Sequence, residues 1–145
     1  MLRRVVLLGG TLLVGVMLLG GVALAKDIRG TFGQDDLQGT NQMDRIYGLG
    51  AADTIRGLAG NDDCNGGSGA DEIFCGYGND RIDGGFGNDV LFGGPGNDTI
   101  VAVDGQIDQV NCGTGIDTAY VDAKDDVSPD QARACENIFV ARPLD

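Results

Sequence analysis

Large aliphatic residues recur along this chain at every ninth position: Leu37, Ile46, Ile55, Ile73, Ile82, Leu91 and Ile100, with Cys64 in the same slot. Two places before each stands an aspartate: Asp35, Asp44, Asp53, Asp62, Asp71, Asp80, Asp89 and Asp98. Glycines precede the aspartates, most fully in Gly66 to Phe74, Gly84 to Phe92 and Gly93 to Val101. A period of nine fits neither the helical period of about 3.6 nor simple two-residue alternation. It is the period of a half-coil in a solenoid that stacks one short strand per repeat. The repeat can be written G-G-x-G-x-D-x-U-x, with U a large aliphatic. Its last three places predict a strand with U inward and its neighbours outward. The first six predict a tight turn, where glycine adopts backbone conformations closed to residues with a Cβ.

Two repeats make one coil, so residues 18 apart stack and the aspartates sort into two ladders. Asp35, Asp53, Asp71 and Asp89 form one, and Asp44, Asp62, Asp80 and Asp98 the other. Stacked strands lie about 4.8 Å apart. Neighbouring carboxylates at that spacing repel by about 3 kcal/mol at an effective dielectric of about 20. A cation between rungs relieves this, and calcium tolerates an irregular oxygen cage better than magnesium does. The competing reading is a metal-free solenoid whose aspartates cap their own turns. It weighs most where the fourth-place glycine is missing, at Thr40-Asn41-Gln42 and Leu49-Gly50-Ala51. The turns bearing Asp44 and Asp53 are therefore expected to hold calcium weakly or not at all. An EF-hand reading of Asp80 to Gly84 lacks the ligand spacing and closing glutamate, and a phosphate-loop reading lacks the lysine.

From about Gly30 to Val101 the chain resembles the calcium-binding nonapeptide repeat of RTX proteins, the hemolysin-type and serralysin-type β-roll. The resemblance implies an all-β fold, a right-handed parallel β-roll (β-solenoid). It also implies calcium held between stacked turns by aspartate carboxylates and glycine-loop carbonyls. Carried onto matching positions, the ligand set is Asp35, Asp44, Asp53, Asp62, Asp71, Asp80, Asp89 and Asp98. With them go Gly66, Gly67 and Gly69, Gly76 and Gly78, Gly84, Gly85 and Gly87, and Gly93, Gly94 and Gly96. Asp62 to Asp98 are the safest of these. Leu58 and Cys75 depart from the pattern, replacing a second and a first glycine. Four rungs per ladder leave about six gaps, of which three to five are expected to be filled. Folding is expected to be coupled to calcium.

The chain has 145 residues and ten basic against 22 acidic side chains, for a net charge of −12. Residues 1–25 read as an export signal: Arg3 and Arg4, an apolar run from Val5 to Val22, then Ala23-Leu24-Ala25. The run is just long enough to serve instead as an uncleaved anchor. Cleavage would move the net charge to −14, since it removes two arginines and no acid. Such a chain repels nucleic acid and anionic lipid. Four cysteines, Cys64, Cys75, Cys112 and Cys135, in an exported chain point to disulfides. Three connectivities are open, and sequence proximity suggests Cys64–Cys75 and Cys112–Cys135.

Residues 26–101 form the predicted roll, and 102–145 a distorted last coil with a short, disulfide-linked C-terminal cap. The frame slips one place after Val103 to Gln106, so Asp108 and Asp117 resume the spacing late, with Val110 and Ala119 in the U slots. Ser128-Pro129-Asp130-Gln131 reads as a helix start, running to about Cys135. Arg56, Phe74 and Phe92 are 18 apart and should stack on an outer face. The chain contains no histidine, which excludes Ser-His-Asp and Cys-His catalysis, and the expectation is a non-enzyme. The leading reading is a secreted, monomeric calcium-binding repeat protein. The alternative is a cell-surface or matrix adhesion protein that uses the calcium-stiffened roll as a scaffold for a surface or polysaccharide partner.

Overall fold

The computed structural model describes residues 25–127 and 135–141. The export-signal segment and the predicted helix from Ser128 lie outside the described residues. The described chain contains no helix. It winds between two parallel sheets, placing alternate strands in each. One sheet stacks the odd strands in chain order: β1 (Asp27–Arg29), β3 (Arg45–Tyr47), β5 (Asp63–Ser68), β7 (Arg81–Phe86), β9 (Thr99–Ala102), β11 (Thr118–Val121) and β13 (Asn137–Val140). The other stacks the even strands: β2 (Asp36–Gln38), β4 (Thr54–Ala59), β6 (Glu72–Tyr77), β8 (Val90–Pro95), β10 (Gln109–Thr114) and β12 (Asp126–Val127). This is the solenoid that the nine-residue period predicts, in the parallel β-roll form that the resemblance implies.

Register follows the repeat. Ile28 pairs with Ile46, Ile46 with Cys64, and Cys64 with Ile82, each 18 residues on. The insertion at Val103 to Gln106 lengthens the next coil by one residue, so Leu91 pairs with Val110 and Ile100 with Ala119. The stack absorbs the slip in a loop and continues. β10 to β13 lie in the same two sheets as the regular repeats.

The strands differ from expectation in length. Strands β4 to β8 and β10 run for six residues rather than three, continuing through the first two glycine places and the third. Glycine is a poor strand former in general. Here Gly67 pairs with Gly85, where side chains would collide with the neighbouring coil, and the parallel ladder overrides propensity. Alternation along these strands turns three places inward: the aspartate, the U residue and the first glycine. The core is accordingly two facing columns, Ile28, Ile46, Cys64, Ile82, Ile100 and Ala119 from the odd sheet and Leu37, Ile55, Ile73, Leu91 and Val110 from the even sheet. Where the first place is not glycine, Cys75, Ala102, Cys112 and Val121 join that core.

Both disulfides form as proximity suggested. Cys64 bonds Cys75, joining β5 to β6 across the interior, and Cys112 bonds Cys135, tying β10 to the segment before β13. Arg56, Phe74 and Phe92 stack on the outer face of the even sheet, the two rings parallel within 5° and 4.7 Å apart. On the odd sheet's outer face Arg81 lies 3.8 Å from Asp63 and 3.7 Å from Asp83, exposed pairs that add little stability.

Candidate metal site

The alternation that buries the aliphatic columns also buries the acids. Asp35, Asp44, Asp53, Asp62, Asp71, Asp80, Asp89 and Asp98 are all at most 5% exposed, and Asp108 and Asp117 are fully buried. Each carboxylate first serves the ladder. The main-chain N–H of Asp53 donates to Asp71 Oδ1 at 2.8 Å, that of Asp62 to Asp80 Oδ1 at 2.8 Å, and that of Asp80 to Asp98 Oδ1 at 2.8 Å. The second oxygen has no such partner. Oδ2 of Asp53, Asp62, Asp71, Asp80, Asp89, Asp98, Asp108 and Asp117 is buried without any hydrogen bond. A buried ionised oxygen left in this state costs several kcal/mol, about 1–3 or more.

The surroundings of these oxygens are themselves oxygen. A Cβ placed on Gly66 would come under 3.0 Å from both Asp71 Oδ2 and the carbonyl oxygen of Gly84. The same holds at Gly48 for Asp53 Oδ2 and the Gly66 carbonyl, and at Gly93 for Asp98 Oδ2 and the Cys112 carbonyl. Carboxylate and carbonyl oxygens thus converge from successive coils. Among the described residues, no three His, Cys, Asp or Glu side chains cluster as a metal centre. An ion between rungs would therefore draw on main-chain carbonyls as well as carboxylates. An all-oxygen donor set with unsatisfied negative charge fits a hard divalent cation.

Burial dominates the electrostatics. It raises the Asp89 and Asp98 carboxyls from 3.8 to about 7, and those of Asp53, Asp62 and Asp108 to about 6. The main-chain hydrogen bond on Oδ1 pulls each back in part, and the neighbouring rungs push it up again. Asp71, Asp80 and Asp117 are raised for the same first reason.

Two kinds of turn recur, and the loop before Asp108, where Oδ2 is orphaned without a left-handed residue at Val103 or Asp104, stands outside both. At the second place Leu49, Leu58, Gly67, Gly76, Gly85, Gly94 and Gly113 all have φ between 84° and 112°. At the fourth place Ala51 takes φ 66°, and Gly60, Gly69, Gly78, Gly87, Gly96 and Gly115 lie between 133° and 150°. These are the turns of Asp53, Asp62, Asp71, Asp80, Asp89, Asp98 and Asp117, each with an orphaned Oδ2. Leucine in the left-handed region costs about 1–3 kcal/mol. The turn of Asp53, despite lacking its fourth-place glycine, is therefore built like its glycine-rich neighbours.

The turns of Asp35 and Asp44 are built differently. Asp35 Oδ2 accepts from the main-chain N–H of Thr31 at 2.6 Å and from its hydroxyl at 3.0 Å. Asp44 Oδ2 accepts the same pair from Thr40, at 2.5 and 2.9 Å. Here the aspartate does cap its own turn, as the metal-free alternative supposed.

The ladders also extend past the eight regular rungs. The N–H of Asp89 donates to Asp108 Oδ1 and that of Asp98 to Asp117 Oδ1, both at 2.8 Å across 19 residues. Asp108 and Asp117 in turn donate to Asp125 Oδ1 and Glu136 Oε2. The late spacing of Asp108 and Asp117 pointed to them, but the frame slip kept them out of the expected set. A second, neutral ladder runs beside the carboxylates. Asn79 N–H donates to Asn61 Oδ1, Asn97 N–H to Asn79 Oδ1 and Ile116 N–H to Asn97 Oδ1, all at 2.9 Å. Its signal, asparagine at places 18 apart, is present in the sequence.

The family model described as RTX calcium-binding nonapeptide repeat matches residues 29–63, 38–73 and 75–106, together more than half of the chain. Neither a curated protein nor a solved structure matches significantly.

Proposed function

The chain belongs to the RTX calcium-binding nonapeptide repeat family and is a calcium-binding repeat protein, and from that premise we propose that it is an exported module whose folding is coupled to calcium. The observation that carries this reading is the row of buried Oδ2 atoms without hydrogen-bond partners, from Asp53 to Asp117. The residues that would hold ions are Asp53, Asp62, Asp71, Asp80, Asp89, Asp98, Asp108 and Asp117, with the turn carbonyls of the adjoining coil. When bound, calcium supplies the positive charge that the two acidic columns lack.

The chain's own residues do the rest. Stacked strands bring the carboxylates into columns, and the glycine places leave main-chain oxygen accessible beside them. The aliphatic columns exclude water from one side. Without the ion, like charges oppose stacking, and the glycine-rich chain carries a high ordering cost. Binding energy is then folding energy. Two disulfides support an oxidising, extracellular setting, in which they would fix the coils once wound. The role is ion binding and structural, not catalytic.

Circular dichroism and calorimetry on the purified protein test this directly. Strand signal should grow with calcium from micromolar to about 10 mM, in line with the weak affinity of extracellular modules of about 10⁻⁴–10⁻³ M. Magnesium should not substitute. Strand signal indifferent to a chelator, with no calorimetric uptake at millimolar calcium, would refute the reading.

A further inference from the structure

The two kinds of turn differ at the second residue and at the fourth, where Gly33 and Gln42 lack the left-handed backbone of the others; only the second residue places donors on the carboxylate. Where that residue is left-handed, whether glycine or leucine, the aspartate of the turn keeps Oδ2 free of hydrogen bonds. Where it is Thr31 or Thr40, its N–H and hydroxyl both point at Oδ2. The oxygen surroundings are otherwise alike. A Cβ on Gly30 would crowd Asp35 Oδ2 and the Gly48 carbonyl, just as one on Gly66 would crowd Asp71 Oδ2 and the Gly84 carbonyl. Two donors directed at a carboxylate supply the positive partner that it needs, and they occupy the space from which a cation would approach.

We infer that in the regular turns the second residue decides, turn by turn, whether a coil takes calcium: a left-handed residue leaves the carboxylate open to the ion, and a threonine whose amide and hydroxyl bond the carboxylate replaces the ion. This inference rests on the calcium reading above and adds a rule for which turns obey it. Asp35 and Asp44 are then satisfied within the protein. Asp44 is the more complete case, since its Oδ1 also accepts the N–H of Lys26 at 2.8 Å. The first two turns stand without calcium and offer the next coil a ready-made edge. The left-handed conformations of Leu49 and Leu58 gain a reason as well. Both residues hold a strained backbone because the relaxed alternative would close the sites at Asp53 and Asp62.

The test exchanges the second residue in both directions and counts ions on the full chain with calcium chloride, by native mass spectrometry and calorimetry. Thr31→Gly with Thr40→Gly should bind up to two more ions than the unaltered chain and should lose more strand signal in chelator. Leu58→Thr should bind one ion fewer while keeping its strand signal. Thr40→Ser, which retains amide and hydroxyl, should leave the count unchanged. An unchanged count in a folded Thr31→Gly/Thr40→Gly variant, or in Leu58→Thr, overturns the inference and leaves the calcium reading intact. If the double variant fails to fold in calcium, the count for Leu58→Thr decides alone. An unaltered chain that takes up no calcium overturns both.

Discussion

Replacing Asp98 by asparagine separates the two jobs of its carboxylate. Oδ1 accepts the N–H of Asp80, and an amide oxygen can do the same. Oδ2 has no partner and, with the Cys112 carbonyl, crowds the Cβ side of Gly93; the amide nitrogen of asparagine could donate to that carbonyl. The substitution therefore removes a buried charge while keeping the ladder. Burial lifts the Asp98 carboxyl from 3.8 to about 7, so at pH 8 its ionisation opposes folding. At about 1.36 kcal/mol per unit the upper bound is about 4 kcal/mol. Asp80 and Asp117 titrate with it and share the relief, so about 2–4 kcal/mol is expected. Asp98→Asn should thus be more stable than the unaltered protein in chelator at pH 8. The calcium-dependent increment should shrink. A site with a dissociation constant of about 10⁻⁴–10⁻³ M contributes about 1.4–2.7 kcal/mol at 10 mM calcium, and that is lost with each site disabled. Urea denaturation followed by circular dichroism, in chelator and in 10 mM calcium, measures both quantities. The half-buried pair partner Asp83, on the outer face, supplies the control, since Asp83→Asn should move neither by more than about 0.5 kcal/mol. A variant that loses stability in chelator, or keeps the full calcium increment, would refute the reasoning.

Acid should substitute in part for calcium. Asp53, Asp62 and Asp108 are raised to about 6 and Asp89 and Asp98 to about 7, so between about pH 4 and 7 the folded form binds more protons than the unfolded one. This stabilisation is complete below about 3.8 and is lost as pH rises through the folded values, so the chelator-treated protein should show its highest urea midpoint at about pH 4 and below, and its lowest above about pH 7.5. Gly78→Ala should disrupt the stack, because φ there is 136° and the new Cβ would strike the Gly60 carbonyl; Gly105→Ala, at φ 83° but with nothing within 4 Å, should cost only about 1 kcal/mol in the same melts. Replacing both Cys64 and Cys75 by alanine should lower stability by about 3 kcal/mol in calcium without abolishing the strand signal, a value that follows from the short loop they close.

Much of this molecule was legible because its period is short and strict. The nine-residue spacing of Asp35 to Asp98 and of Leu37 to Ile100 specified coil length, strand pairing and the two acidic columns before any coordinates. Strand length was not legible, since Gly66-Gly67-Ser68 reads as turn by propensity and becomes strand only against Gly84-Gly85-Phe86 of the next coil. The frame slip at Val103 to Gln106 predicted a distorted last coil. The structure instead carries the extra residue in a loop, where Asp104 Oδ2 accepts the N–H of Gly87, and the ladder resumes at Asp108. The early turns were legible only in part, for a related reason. Glycine content set the turns of Asp44 and Asp53 together as weak, whereas backbone conformation separates them, with Leu49 and Ala51 left-handed and Thr40 not.

The deeper regularity is that one alternation builds both the core and the binding groups. Places six, eight and one of each repeat face inward, so for every Ile73 the interior must also accept an Asp71 and a glycine. A chain of this design enlarges its apolar core only at the first-glycine place, as Cys75, Ala102, Cys112 and Val121 do, and it cannot expose the acids without turning over the strand that carries the core. Each repeat buries one large aliphatic side chain against one carboxylate. The balance within a coil is therefore set by whatever neutralises that carboxylate. Thr31 and Thr40 instead satisfy Oδ2 with hydrogen bonds from within the chain, and from Asp53 onward the protein holds the position open. Under the proposed function, calcium dependence in this fold is a consequence of strand geometry, adjustable one turn at a time by the second residue of the turn.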